Sequence, residues 1–374
     1  MEYAHLGIFS DLVDEARRQQ TLFPLAGPGV LTVQQARLAL GFCDRLEIPM
    51  QVQVDGCWER DGLAGERLSW WVGYGPRTQA WLFRPAGERQ TFPAVLALHD
   101  HGGFKYYGKE KIAEGSEAAN QSQKAWFESA YGGRAWVNAL AKRGFVVLVP
   151  DTFLWGSRKF PLETIEKALS LGFPGEELFR QSHDGMDEIA YYNFYASHHE
   201  HLVAKYCNLL GTCLAGVVAH EDRIALNYLL TRPDVQFGQV GCLGLSGGGN
   251  RAVLLRATAD PLKAVGVVGL MSTYPELLDH SIATHTWMFF PSNWSRYGDW
   301  PDLAACRAPA PLLVQYDTED ELFTLKGMQD AHARLSAHYA SSPQAYSGQF
   351  YPGPHKFDVA MQEAAFAWLE KWLR

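Results

Sequence analysis

No two cysteines of this chain stand in a C-x-x-C pair, and the six present, Cys43, Cys57, Cys207, Cys213, Cys242 and Cys306, are scattered. That spacing offers neither a zinc ribbon nor a disulfide framework, so they read as packing residues of a reduced compartment. Concentrated basic charge is missing too: 33 Lys and Arg face 41 Asp and Glu, for a net charge of -8. Neither nucleic acid nor an anionic membrane surface is an expected partner. No apolar run is long enough to span a bilayer, and Met1-Glu-Tyr-Ala-His-Leu-Gly lacks the basic start and apolar core of an export signal. The expected location is therefore cytoplasmic. There is no internal repeat, no low-complexity tract and no H-E-x-x-H zinc motif. The run Ser197-His-His-Glu-His201 has the wrong order for metal and reads as a solvated or packed helix face.

What the chain does have is a stretch around one serine, Gln239-Val-Gly-Cys-Leu-Gly-Leu-Ser246-Gly-Gly-Gly-Asn-Arg-Ala-Val-Leu-Leu-Arg256. Val240 to Leu245 reads as a buried parallel strand, and Asn250 to Thr258 as a buried helix. Between them Gly244-x-Ser246-x-Gly248 has the form of a nucleophile elbow, a strained strand-to-helix turn that leaves the serine oxygen above the sheet edge. Glycines flank it because a Cβ would strike the chain crossing close by. With 374 residues the chain can bury a large core, and one decorated domain is expected.

Residues 1–48 read as a helical extension, with Thr32 capping a helix over Val33 to Leu46. The main domain would then occupy 49–374. Alternation from Met50 to Phe83 suggests antiparallel strands. Pro93 to Leu98 and Gly144 to Pro150 read as buried strands flanking a helix over Gly132 to Lys142, a βαβ unit of a parallel sheet. An insertion over about 152–215 carries Trp155, Phe160, Phe173, Phe179, Tyr191, Tyr192, Phe194 and Tyr195. The crossover helix resumes at Glu221 to Leu230. Ala264 to Leu270, Pro311 to Tyr316 and Ala345 to Tyr351 are further strands, with helices near Thr324 to His338 and Lys356 to Leu373.

A serine hydroxyl needs a base within hydrogen-bond reach and a third group to orient that base. In an open parallel sheet these come from loops at the carboxyl ends of the strands. The first such loop, Asp317-Thr-Glu-Asp320-Glu, offers Asp317, Glu319, Asp320 and Glu321 as acids. Asp320 is preferred, since a few residues of turn are needed before a side chain can reach back, while Asp317 suits the turn itself. The second, Pro352-Gly-Pro-His355-Lys-Phe, offers His355 as base, and the order Ser, acid, His is the one the hydrolase arrangement requires. Two N–H donors must hold the oxyanion. Gly247 supplies one, and the loop His99-Asp-His-Gly-Gly the other, through His101 or, as second choice, Gly102. No further ligand completes a metal site with His99 or His101.

With these residues in place the chain resembles the α/β-hydrolase superfamily, and within it the dienelactone-hydrolase-like and acetyl-xylan-esterase-like serine esterases. The matching pieces are Leu98-His-Asp-His-Gly-Gly-Phe104, Gly241-Cys-Leu-Gly-Leu-Ser-Gly-Gly-Gly249, Pro311-Leu-Leu-Val followed by Asp320, and Gly353-Pro-His-Lys-Phe357. The resemblance implies a doubly wound, mostly parallel sheet with antiparallel N-terminal strands, a helical and aromatic insertion, and no cofactor. It places the nucleophile on Ser246, the acid on Asp320 and the base on His355. Dienelactone hydrolase proper uses cysteine at the elbow, so the serine here argues against a lactone substrate.

The function expected is that of a carboxylesterase-type serine hydrolase acting on a small-molecule ester, with Trp155, Trp287 and Phe290 walling the substrate pocket. A prolyl-peptidase-like amide hydrolase is the alternative enzyme, and a hydrolase scaffold turned binding module the alternative outside catalysis. Assembly into a homo-oligomer is compatible with either.

Overall fold

A computed structural model describes residues 3–44, 47–87, 90–172, 185–260, 262–278, 280 and 282–374. Its centre is a nine-stranded sheet: β1 (Met50–Arg60), β2 (Leu63–Trp71), β3 (Thr78–Pro85), β4 (Phe92–Leu98), β5 (Val146–Pro150), β6 (Val235–Leu245), β7 (Ala264–Val268), β8 (Leu312–Asp317) and β9 (Tyr346–Tyr351). They lie in the order β1-β2-β3-β5-β4-β6-β7-β8-β9. β1, β2, β3 and β5 pair antiparallel, and every pairing from β5 across to β9 is parallel.

The apolar runs that mark β4 and β5 follow from burial on both faces. Ala94, Leu96 and Leu98 of β4, with Val146 and Leu148 of β5, belong to one hydrophobic core. Val95 and Ala97, with Val147 and Val149, belong to the core on the other face. Side chains alternate across a strand, so a strand covered on both sides must be apolar at every position.

Over the first face lie α2 (Val30–Leu40), α7 (Leu214–Leu230), α8 (Gly247–Thr258), α10 (Trp300–Ala305) and α11 (Leu325–His338). Over the second lie α3 (Gln121–Tyr131), α4 (Trp136–Lys142) and α12 (Val359–Leu373). The remaining helices are α1 (Leu12–Gln19), α5 (Leu162–Gly172), α6 (Glu188–Leu209) and the short α9 (Tyr274–Leu277). Among the described residues no single helix is long and apolar enough to cross a membrane.

Three helices differ from the sequence expectation by four residues or more at one end. The N-terminal helix runs Val30–Leu40, not Val33 to Leu46: the Thr32 hydroxyl donates to the Gly27 carbonyl instead of capping, and Gly41 at φ 63° ends the helix. Arg45 and Leu46 lie outside the described residues. The helix expected over Gly132 to Lys142 starts only at Trp136, as α4, because Gly132 is the left-handed cap that ends α3, a separate helix begun by an Asn120–Gln123 capping box. The crossover helix starts at Leu214 instead of Glu221, since Ala215, Val218 and Ala219 extend its buried stripe.

The N-terminal segment is docked on this face of the sheet. A Cβ on Gly216 of α7 would sit 1.9 Å from the Leu40 carbonyl oxygen, so glycine is what allows α2 to cross there. Arg37 donates to Thr258 O at 2.7 Å, and Glu47 accepts from both His220 and Arg223. The insertion builds its own small core from Ile165, Leu169, Tyr192, Tyr195 and Ala196, with Phe160, Tyr191 and Phe194 packed against it. Phe173 and Phe179 lie outside the described residues.

Candidate active site

Ser246 follows the last residue of β6 and precedes the first of α8, at φ 56° and ψ -119°. A side chain rarely occupies that region, which costs on the order of 1–3 kcal/mol unless neighbours enforce it. They do so here: Ser246 N–H donates to Val268 O at 2.8 Å, and its carbonyl accepts from Asn250 N–H at 2.9 Å. The flanking glycines answer to close approach. A Cβ on Gly248 would lie 2.1 Å from Leu98 O, and one on Gly244 would lie 2.6 Å from the same atom.

β8 ends at Asp317 and β9 at Tyr351, neighbouring strands whose following loops carry the acid and the histidine. His355 Nδ1 and Asp320 Oδ2 are 2.6 Å apart, with the Asp320 side chain fully buried. Asp320 Oδ1 accepts from the Leu322 N–H at 2.8 Å, which fixes the carboxylate plane. Burial disfavours the charged imidazole, but the Asp320 hydrogen bond and the charges of Asp320, Asp317 and Asp100 outweigh it, so the His355 pKa is raised. The other ring nitrogen, His355 Nε2, is buried with no hydrogen-bond partner among the described residues. Ser246 and His355 line one cavity of about 340 Å³ together with Asp100, His101 and Gly247.

Asp317 also faces the histidine. It is buried, accepts from Lys356 N–H at 3.1 Å, and burial pushes its pKa up to about 7. Among the described residues, donor atoms of Asp317, Asp320 and His355 fall within 4.8 Å of one another, close enough to hold a cation. A cation there would have to take His355 Nδ1 from Asp320.

The loop after β4 lies against the elbow. A Cβ on Gly247 would be 2.5 Å from the His101 nitrogen, so the two expected oxyanion donors are adjacent. The loop hangs on buried charge. Lys111 Nζ donates to His101 O at 3.1 Å and pairs with Asp100 Oδ2 at 3.1 Å. Arg251, clamped by Asp222 through bonds of 2.9 and 2.6 Å, donates its remaining arm to His99 O at 3.1 Å. The sequence reading missed Lys111, Asp222 and Arg251, since a charge in a polar loop and lone charges on two apolar helices carry no motif. Burial lowers the Lys111 pKa to about 8 despite Asp100.

The pocket residues expected from sequence need correction, because Trp155, Trp287 and Phe290 do not line this cavity. Trp155 packs behind the loop, its ring 5.1 Å from that of His101 and its Nε1–H donating to His101 O at 3.4 Å. Trp287 is 39% exposed and bonds His201. Phe290 stacks on Tyr274 and lines a separate groove with Phe23 and Leu277. The apolar walls are Trp126, Leu245, Leu270, Phe289, Leu322 and Phe323, with Thr284, His285 and Thr286 beside them. Counting aromatics in a long segment does not show which of them turns inward.

A parallel sheet with an elbow serine at the end of the central strand β6, and acid and histidine on the loops after β8 and β9, decides the architecture. The chain has the α/β-hydrolase fold. The glucuronoyl esterase from Solibacter usitatus superposes with a TM-score of 0.64 at 13% identity, over 94% of this chain and 97% of that one. Acetyl Xylan Esterase 1 from Thermoanaerobacterium sp. JW/SL YS485 superposes at 0.54 with 13% identity, over 94% and 96%. Methylesterase BT1017 superposes at 0.57 with 16% identity, over 91% of this chain but 61% of that one, so the chain spans about three fifths of its length. Among curated proteins, "Putative hydrolase YtaP" of Bacillus subtilis (strain 168) is 21% identical over 328 residues, 87% of this chain and 93% of that one. No protein-family model matches.

Proposed function

We propose that the chain is a serine carboxylic ester hydrolase. The observation that carries this reading is the meeting of the strained Ser246 with His355 in one cavity, while His355 holds its acid through Nδ1 and has Nε2 unpaired among the described residues. In the reaction Ser246 Oγ attacks the ester carbonyl carbon as its proton passes to His355 Nε2. The carbonyl π pair moves to oxygen, which the N–H groups of Gly247 and His101 hold. Collapse breaks the bond to the alcohol, and the proton on Nε2 leaves with the alkoxide. Water then attacks the acyl-enzyme by the same route, giving a carboxylic acid and free Ser246.

Asp320 fixes the imidazole tautomer with Nδ1–H toward the carboxylate and favours the imidazolium formed at each tetrahedral stage. The largely apolar wall of the cavity suits an ester whose buried part is a hydrocarbon group. The named esterases that share the fold agree with ester chemistry. A panel of acetyl, butyryl and aryl esters and aminoacyl anilides, run on wild type and Ser246→Ala, tests the proposal. Ester turnover that disappears with the hydroxyl is expected; anilide turnover without ester turnover would overturn it.

A further inference from the structure

Outside the triad, a carboxylate supplied by the insertion is held from two sides near the cavity. Glu200 sits on α6, is 5% exposed, and its two oxygens face different walls. Oε2 accepts from His101 Nε2 at 2.8 Å and from Lys105 Nζ at 2.5 Å, both on the loop after β4. Oε1 accepts from Thr286 Oγ1 at 2.7 Å and from Trp287 N–H at 3.1 Å, on the loop that supplies Thr284, His285 and Thr286 to the cavity. The Gly103 N–H donates to His101 Nδ1 at 3.0 Å, which leaves the ring proton on Nε2, directed at Glu200. A second strap from the same helix, Asn193 Oδ1, accepts from the N–H groups of Lys105 and Tyr106 at 2.8 and 2.9 Å.

We propose that Glu200 is a positioning residue of the oxyanion hole: it ties the His101 loop to the Thr286 loop across the cavity, and so aims the His101 N–H at the developing oxyanion. The insertion is then a buttress of the catalytic geometry, although none of its described residues lines the cavity. This inference rests on the esterase reading above. Glu200 touches no reacting atom. Loosening it lets His101 drift, and a donor displaced from the oxyanion loses transition-state stabilisation while ground-state binding stays much the same.

The test uses the full chain, with p-nitrophenyl acetate as substrate and phenylboronic acid as inhibitor, since its tetrahedral adduct on Ser246 places an oxygen in the hole. Glu200→Gln keeps the shape but sets an amide against Lys105 and His101. Its kcat is expected to fall about tenfold or more, with KM within about twofold and phenylboronate inhibition weakened by a factor like that on kcat. A folded Glu200→Gln with wild-type kcat, or with its whole loss in KM, would overturn the proposal.

Should that variant not fold, His101→Gln and His101→Ala decide instead, because both keep the backbone N–H but only glutamine can donate to Glu200. Glutamine is expected to retain about tenfold more kcat than alanine, and equal values would overturn the proposal. A wild type that hydrolyses no ester fails at the earlier step, bringing down the esterase reading and this inference together. An active wild type matched by Glu200→Gln removes this inference alone.

Discussion

The elbow and the loop after β4 pack against each other at one edge of the same cavity, yet they are held by opposite means. The elbow is a local device: glycines where Leu98 O comes close, and main-chain bonds from Ser246 to Val268 and Asn250. The His99–Gly103 loop is a long-range device. It is fixed by Arg251 and Asp222 from two helices, Lys111 from the following loop and Glu200 from the insertion. Glycines at close approach tolerate no added atom, whereas buried charges tolerate no lost partner. One half of the site should therefore break through nearby substitutions, and the other through distant ones.

The largest effect should come at the elbow. Ser246→Ala is expected to lower kcat on p-nitrophenyl acetate by about 10⁴-fold or more, with fluorophosphonate labelling lost and the melting temperature preserved, since alanine keeps the Cβ and the same backbone conformation. Asp320→Asn should follow, with a drop of about 10³–10⁴-fold in kcat, since the amide favours the wrong imidazole tautomer. The pH profile supplies the sign. On the proposed mechanism neutral His355 is the base, and its pKa is raised by Asp320 against the effect of burial. The acid limb of wild-type kcat/KM should thus lie above the ordinary imidazole value of about 6.5, and Asp320→Asn should move it to lower pH. An unmoved limb would detach the acid from the base.

The distant half is tested by Asp222→Asn. It leaves Arg251, 1% exposed, without its carboxylate, and a loss of about 3–5 kcal/mol in urea unfolding is expected. Activity should fall as well, because Arg251 also holds His99 O. Asp317 gives a smaller and pH-dependent effect. Its folded pKa of about 7 lies above the unfolded value, so the folded state binds the extra proton, and stability is lost as pH rises toward 7. Asp317→Asn should lose less melting temperature than wild type between pH 5 and pH 8. The smallest effect is expected for Trp287→Ala, within about twofold in kcat/KM on acetyl and aryl esters alike, since its ring lies on the surface away from the cavity. A strong preference for one ester class in that variant would return Trp287 to the pocket.

The parts of the fold readable in the residues are those where one local rule acts alone. The apolar strands β4, β5 and β7 and the second half of β6 were legible because burial on both faces leaves no polar position, and the serine turn because strand, glycines and helix are contiguous in the chain. His355 and Asp320 were legible through the order of the loops, though four acids competed for the role. The Asn120–Gln123 capping box was present in the sequence and would have placed α3 correctly. The pocket wall was not legible: Trp155 and Phe289 sit in equally aromatic segments, and only the packing turns one behind the loop and the other toward the cavity. Glu200 lay inside a histidine-rich run that looked like a helix face, and nothing local marks its four partners on two loops.

By itself, the amino-acid order determined the strand and helix rhythm, the backbone form of the turn at Ser246, and the sequence in which acid and histidine follow it. Each of these depends on neighbours along the chain or on a periodicity of 2 or 3.6 residues. The tertiary structure alone decided which aromatics close the cavity and which buried charges hold the loop beside the elbow. Those depend on direction in space, where a rotation about one bond turns a side chain from the cavity into the core. Such directions are set only when all the packed layers are in place.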